Sequence, residues 1–222
     1  MSTAIRTDVQ GHVATVTLSR PEVRNAFNDE VIAELSQAFT TLGDDARVRA
    51  IVLAAEGPAF CAGADLNWMR RMADYTREEN LRDAAQLAFM LRTIYECPKP
   101  TIARVQGDVY AGGMGLVAAC DMAVSVDTAH YCLSEVKLGL IPATISPYVI
   151  RAMGPRAAHR WFLTAERFGA AEAHRIGFVH EVVSAERLDA TVDGIADIRA
   201  SREGREGVQA FLQKRKPAWL AG

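Results

Sequence analysis

The sequence predicts an α/β fold with parallel strand pairing, because short apolar strands alternate with helical segments along the chain. The run "AIVLAA" at residues 50–55 is continuously apolar, which is typical of a parallel strand buried on both faces. Amphipathic segments lie on either side of this run, and each follows a residue suited to cap a helix. No repeat, low-complexity segment or flexible linker divides the 222 residues, so we expect a single domain over 1–222.

The first elements are predicted from capping residues and periodicity. Residues 5–9 and "GHVATVTLSRP" predict a β-hairpin. Asn28 and Asp29 predict the start of a helix that ends near residue 42, and "EGPAFCAGAD" predicts a turn-rich loop. Asp65 then opens a short helix, and Thr76 caps a helix from about residue 77 to 95. The expected buried stripe of that helix comprises Leu81, Ala84, Ala85, Ala88, Leu91 and Ile94.

The second half continues the alternation of strands and helices. Strands are expected from residue 101, over "DMAVSV" and over "HYCLSE", with a helix between the first two that ends near residue 119. Short helices are expected at 148–153, 157–163 and 170–176, followed by a strand at 178–183 and terminal helices.

Composition restricts the function classes. A formal net charge of −2, with no excess of basic residues, argues against a nucleic-acid partner. No apolar run approaches the ~18–20 residues that span a bilayer, and the first residues lack the apolar core of a signal peptide. The five histidines show no metal-ligand spacing, and the cysteines match no zinc or redox pattern. We therefore expect a cytoplasmic protein with free thiols and no metal site.

The glycine-rich stretch "YAGGMGLVAACD", residues 110–121, admits two interpretations. Gly113-x-Gly115-x-x-Ala118 fits a dinucleotide fingerprint, with Glu135 about 20 residues further on, although residues 107–111 separate these glycines from the preceding strand. Alternatively, glycines that enter a helix leave backbone N–H groups free to bind an anion. "FCAGADL" offers a second helix entrance, at the N–H of Ala64. Two such entrances after buried strands favour one oxyanion site.

Six stretches carry a resemblance to a known family: "SRPEVRNAFN", "GPAFCAGADLNWM", "PKPTIARVQGDVYAGGMGLVAACDMAVS", "CLSEVKLGLIP", "FLTAERFGAAEAHRIGFVHEVV" and "EGREGVQAFLQKRKPAW". In this order they resemble the crotonase, or enoyl-CoA hydratase/isomerase, superfamily along nearly the whole chain, and the pattern is most similar to methylglutaconyl-CoA-hydratase-like members. The resemblance implies a spiral of ββα units with a C-terminal helical trimerisation region. It also implies an acyl-CoA thioester substrate, with no cofactor beyond the coenzyme A that the substrate carries. The amides of Ala64 and Gly112 would polarise the thioester carbonyl.

The resemblance also locates the proton-transfer groups. Family hydratases typically carry two glutamates; Glu135 matches one, and Gly115 occupies the position of the other. One carboxylate suffices to shift a double bond, so enoyl-CoA hydratase and enoyl-CoA isomerase both remain open. A NAD-binding oxidoreductase and an inactive CoA-binding protein are further alternatives. The space left by the missing side chain at Gly115 is expected to suit a bulkier acyl group. We expect the acyl chain to be short or branched. Candidate substitutes for the missing carboxylate are Asp108, Tyr110, Ser146 and Tyr148.

The remaining predictions concern substrate contacts and assembly. Trp68 and Met69 are candidates for the acyl pocket, and Asp65 is also interpreted as a helix cap. The complete set of predicted substrate and CoA contacts is Arg24, Ala26, Ala62, Asp65, Leu66, Tyr110, Gly115, Phe211 and Lys214. By resemblance, Phe211 and Lys214 of a neighbouring subunit hold the CoA adenine and phosphate, so a homotrimer or a dimer of trimers is expected. Residues 1–183 would form the spiral core and 184–222 a helical part, with a family segment apparently missing between 195 and 196.

Overall fold

The computed structural model describes residues 4–220, except for the side chains of residues 199, 200, 202, 205, 208, 211 and 212. The strands of this part are β1 (Ile5–Gln10), β2 (Val13–Leu18), β3 (Ala50–Ala55), β4 (Ala59–Cys61), β5 (Thr101–Val105), β6 (Asp108–Tyr110), β7 (Met122–Val126), β8 (His130–Cys132), β9 (Phe168–Gly169) and β10 (Glu181–Val183). The helices are α1 (Asp29–Asp44), α2 (Leu66–Ala73), α3 (Arg77–Tyr95), α4 (Gly112–Ala119), α5 (Ser146–Met153), α6 (Pro155–Thr164), α7 (Ala170–Arg175), α8 (Ala185–Ala200) and α9 (Arg202–Leu212).

Two sheets form the core. The larger has the order β1-β2-β3-β5-β7-β10, in which β1 and β2 are antiparallel and the other neighbours are parallel. The smaller has the order β4-β6-β8-β9 and is parallel up to its last pair. The successive strand pairs β3–β4, β5–β6 and β7–β8 each place one strand in each sheet, and a helix follows each pair. The predicted α/β class and the spiral of ββα units are therefore confirmed.

The sequence pattern predicted β8 of the smaller sheet, within "HYCLSE", but it did not reveal β4 and β6. The stretch expected to be a turn-rich loop contains β4, so this prediction was wrong at that point. Both β4 and β6 have only three residues, too few for a recognisable alternation of polar and apolar side chains. Their pairing depends on close backbone approach: a Cβ atom at Gly107 would lie 2.1 Å from the carbonyl oxygen of Pro58.

The helix caps follow the prediction more closely than the buried face of α3 does. The side chain of Asn28 accepts from the Val31 amide, and Thr76 forms a capping box with Glu79. In α3 the buried side chains are Met90, Leu91 and Ile94. Leu81, Ala84, Ala85 and Ala88 are exposed, so the expected stripe was wrong in its first half. The N-terminal half of α3 forms a cavity wall instead of packing into the core.

Helix α8 runs without interruption through the junction of residues 195 and 196. Its buried residues Leu188, Val192 and Ala196 recur every four positions, and the helix packs across β3, β5 and β7. The division into a core and a helical part, and the missing segment, stay predictions. None of the helices in the described part of the chain is long and apolar enough to cross a membrane.

Candidate active site

A cavity of about 410 Å³ lies between α2, α3, the start of α4 and the loop that follows β8. Its volume falls within the range of small-molecule sites. The lining is mainly apolar and includes Phe27, Trp68, Met69, Met72, Leu87 and Ile145. Among the described residues, the ionisable side chains that line it are Glu135 and Asp83. The mouth carries exposed apolar side chains, namely Leu66, Leu138, Leu140 and Ile141.

Two backbone turns meet at one wall of this cavity. Gly63 has a φ of +89°, and a Cβ atom there would lie 2.9 Å from the Cβ of Ala111 and 3.4 Å from the nitrogen of Gly112. Only glycine therefore allows the turn before α2 to touch the turn before α4. Ala111 has φ 46° and ψ −122°, a strained backbone conformation for a residue with a side chain.

Ala64 and Gly112 line the cavity at this junction. Phe27 donates its amide hydrogen to the carbonyl of Gly63 and accepts from the amide of Asp65, which orders the chain on both sides of Ala64. Within residues 4–220, neither the Ala64 amide nor the Gly112 amide has an acceptor. Two free donors at helix entrances, on the wall of one cavity, suit an oxygen that gains negative charge.

Glu135 is an ionisable group that lines the same cavity as these two amides. It begins a short 3₁₀ turn at the end of the loop after β8 and is half-buried. Its Oε2 atom is buried and has no hydrogen-bond partner in the described part of the chain. Burial raises the pKa of the Glu135 carboxyl above its ordinary value of 4.5. A carboxylate with one unpartnered oxygen in an apolar cavity is suited to take a proton from a ligand and return it.

Gly115 does not provide the room that was expected. A Cβ atom at Gly115 would lie 2.3 Å from Cγ2 and 2.9 Å from Cβ of Ile145, and 3.5 Å from Cδ2 of Leu91. Ile145 occupies this space and itself lines the cavity. The expectation of vacated space was therefore wrong, because a residue from a distant segment fills the position where the family glutamate would stand.

The four proposed substitutes for that glutamate lie outside the cavity lining. The Tyr110 hydroxyl donates to Asp108, and the Ser146 hydroxyl donates to the carbonyl of Ala143. The Tyr148 ring packs edge-on against Tyr95.

Sequence reasoning missed Asn80 and Asp83 on the wall formed by α3. Asp83 accepts a 3.2 Å hydrogen bond from the indole nitrogen of Trp68, and burial raises the pKa of its carboxyl. The lining residues Asn80, Asp83, Ala84 and Leu87 follow the i, i+3, i+4, i+7 spacing of one helix face. That spacing was the available signal, but the prediction assigned a neighbouring, more apolar face to the core.

The other predicted contacts divide into two groups. Ala62 and Leu66 line the cavity, whereas Ala26 is buried outside its lining. Asp65 caps α2 by accepting from the amides of Asn67 and Trp68, and it pairs with Arg20 at 2.9 Å. These bonds hold the turn that carries Ala64.

The CoA contacts at the surface stay predictions. Arg24 is exposed in a left-handed turn with φ 53°, and its carbonyl accepts from the Ala62 amide. Lys214 is exposed just beyond α9, also at a positive φ of 51°. The side chain of Phe211 lies outside the described residues.

Comparison with known proteins places this geometry in context. The family model described as "Enoyl-CoA hydratase/isomerase" matches residues 8–197. Enoyl-CoA hydratase ACTT6 of Alternaria alternata is 37% identical over 86% of the chain, which spans 62% of that relative's length, less than two thirds. A crystal structure of an enoyl-CoA hydratase from Shewanella pealeana is 39% identical, with a TM-score of 0.81 over 97% of this chain and 96% of that one. A Mycobacterium smegmatis enoyl-CoA hydratase is 33% identical, with a TM-score of 0.85 over 99% and 100% of the two chains.

Proposed function

Because the chain belongs to the enoyl-CoA hydratase/isomerase (crotonase) family, we propose that it adds water across the double bond of an α,β-unsaturated acyl-CoA. One observation carries the proposal: Glu135, whose Oε2 has no hydrogen-bond partner in the described part of the chain, and the two amides of Ala64 and Gly112, which have no acceptor there, line the same apolar cavity. The amides supply the oxyanion hole, and the carboxylate supplies the proton transfer.

In the proposed hydration, water adds at C3 and the proton that it loses is returned at C2. The thioester oxygen accepts from both amides, so that negative charge moves onto it as water attacks C3. Glu135 accepts a proton from the attacking water while the new C3–O bond forms. The same carboxyl then delivers that proton to C2. This protonation converts the enolate back to the thioester form. Each donor lies at a helix entrance, where the helix dipole favours the developing charge.

Isomerisation is a second candidate, and the packing at Gly115 favours it. Since Ile145 fills the position of a second glutamate, one carboxylate performs all proton transfers beside the amides. Glu135 would take a proton from C2 of a 3-enoyl thioester and return it at C4, and the enolate would again be held by the two amides. No water is required for this reaction.

We assign the coenzyme A portion of the substrate to the cavity mouth and the C-terminal segment. The apolar side chains at the mouth suit the pantetheine arm, and the exposed ammonium of Lys214 suits a phosphate. We expect a homotrimer or a dimer of trimers in which Lys214 and Phe211 complete the site of a neighbouring subunit.

Absorbance at the conjugated enoyl-thioester band tests the proposal. Hydration of crotonyl-CoA or 3-methylglutaconyl-CoA lowers the band, whereas isomerisation of a 3-enoyl-CoA raises it. Glu135→Gln provides the control, because it keeps the side-chain shape and removes the base. If neither kind of thioester changes the band with the full chain, the proposed function is wrong; binding of NAD without binding of CoA would favour the oxidoreductase.

A further inference from the structure

Asp83 lies too far along α3 to replace the carboxylate that is missing at Gly115. Leu91 is the α3 residue that touches the Gly115 position. Leu91 is eight positions after Asp83, which corresponds to about 12 Å along the helix axis at about 1.5 Å per residue. Leu87 and Ala84 lie between them and also line the cavity. Asp83 therefore lies at the end of the α3 wall that is remote from the contact with Gly115 on α4.

This remote end offers hydrogen-bond acceptors without free donors. The indole N–H of Trp68 donates to Asp83, and the Asn80 amide nitrogen donates to the carbonyls of Tyr75 and Thr76. The N–H donors of Trp68 and Asn80 are thus engaged. The groups that remain for a ligand are two acceptors, the second carboxyl oxygen of Asp83 and the amide oxygen of Asn80. Among residues 4–220, no lysine, arginine or histidine lines the cavity.

The charged residues near Asp83 do not change the excess of acceptors over free donors at this end of the cavity. Arg71 is the nearby cation that lowers the pKa of Asp83, but its guanidinium pairs with Asp29 at 2.6 Å. Asp29 itself acts in the opposite direction and raises that pKa. Arg82, another cation beside Asp83, is exposed and lines a separate cavity with it, outside the one that Glu135 lines. A ligand group that ends beside Asp83 in the Glu135 cavity therefore meets an acceptor and, among the described residues, no cation on the wall of that cavity.

We propose that Asp83 is a specificity-determining residue that selects acyl chains carrying a hydrogen-bond donor, such as a hydroxyl, at their far end. This inference rests on the proposed function for the position of the thioester. A methyl terminus would cover the carboxylate without replacing its hydrogen bond to water, which is unfavourable. A carboxylate terminus would face a like charge, with no cation on the cavity wall to compensate.

The experiment compares three 2-enoyl-CoA thioesters of equal, medium chain length that end in methyl, hydroxyl or carboxylate groups. We expect wild-type kcat/KM to be about tenfold higher for the hydroxyl than for the methyl terminus. This factor corresponds to the lower end of the free energies of hydrogen bonds to charged groups, because Asp83 is only half-buried. The carboxylate terminus should give the lowest value. Asp83→Leu should abolish the preference for the hydroxyl. Asp83→Asn keeps an acceptor for Trp68 and should selectively raise kcat/KM for the carboxylate terminus.

Gln86→Leu is the matched control, since Gln86 is exposed on the same helix outside this cavity and should leave all three ratios unchanged. If Asp83 only anchors Trp68, its substitution would scale all three rates equally, and that result overturns the inference. A wild-type preference for the carboxylate terminus also overturns it. Calorimetric affinities of the corresponding saturated thioesters test the same preference without turnover, so failure of hydration and failure of the selectivity are distinguished.

Discussion

Substitution of Glu135 by glutamine is expected to lower activity and raise stability at the same time. The activity loss follows from removal of the proton-transfer group, which is usually worth about 10²–10⁴-fold in turnover. The stability gain follows because Oε2 is buried without a partner, and an unsatisfied buried acceptor costs about 1–3 kcal/mol, more when it is charged. A neutral amide reduces that cost without removing it, so we expect a gain of about 1 kcal/mol, equivalent to about 2–4 °C in Tm for a chain of this size.

The pH dependence distinguishes this explanation from a general effect of substitution. The folded pKa of Glu135 lies above the ordinary value of 4.5, so the folded state binds more protons than the unfolded state between these two pKa values. Stability of the wild type should therefore fall as pH rises from 4.5 through the folded pKa, and the activity that needs the carboxylate should rise over the same window. Glu135→Gln should lack both slopes.

Thermal unfolding and kcat/KM, each measured from pH 4.5 to neutrality, provide the test. Glu181→Gln is the control, because Glu181 is an exposed strand residue and should leave both profiles unchanged. Near-normal turnover of Glu135→Gln would remove Glu135 from the mechanism. A destabilised variant with the wild-type pH slope would show that desolvation of this carboxylate is not the cause.

Three further predictions address the backbone donors, the Gly115 packing and CoA binding. Gly63→Ala should strongly reduce turnover, because its new methyl group would lie 2.9 Å from Ala111 Cβ and separate the two turns; Gly11→Ala, also at positive φ but with open space around it, is the kinetic control. Gly115→Ala should destabilise the fold by about 1–3 kcal/mol through its clash with Ile145. The double variant with Ile145→Ala should cost less in denaturant unfolding than the sum of the single changes, whereas additivity would refute the contact. Lys214→Gln should weaken calorimetric binding of CoA but not of 3′-dephospho-CoA; equal loss for both would exclude a contact with the 3′-phosphate.

The sequence predicted those features that depend on local chemistry. Asn28, Asp65 and Thr76 cap their helices because a short polar side chain can satisfy free amides within the same turn. The run at 50–55 forms a strand that is buried along its whole length. The six stretches of family resemblance indicated Ala64, Gly112 and Glu135, and the structure places all three on one cavity. Their roles in catalysis stay predictions.

The features that the sequence did not predict depend on contacts between distant segments. β4 and β6 become strands only because each pairs with a neighbour from another part of the spiral. Likewise, the empty position at Gly115 suggests free space until Ile145, thirty residues away along the chain, is seen to fill it. A missing side chain in a sequence therefore does not establish a larger pocket, because packing at native density normally fills such a gap.

In the proposed function, the wall formed by α3 separates the reaction from the choice of substrate. The resemblance concerns the turns and the loop that hold Ala64, Gly112 and Glu135, and the proposal has these groups act on the thioester carbonyl and the adjacent carbons, which every enoyl-CoA shares. Asp83 and Asn80 lie on another element, about 12 Å and about 16 Å along α3 from the contact with Gly115, and in the proposed function this is where acyl chains differ from one another. A substitution at Asp83 should therefore change the ratio between substrates, whereas a substitution at Glu135 should lower every rate by the same factor. This contrast follows from the placement of the two carboxylates and does not depend on whether the product is hydrated or isomerised.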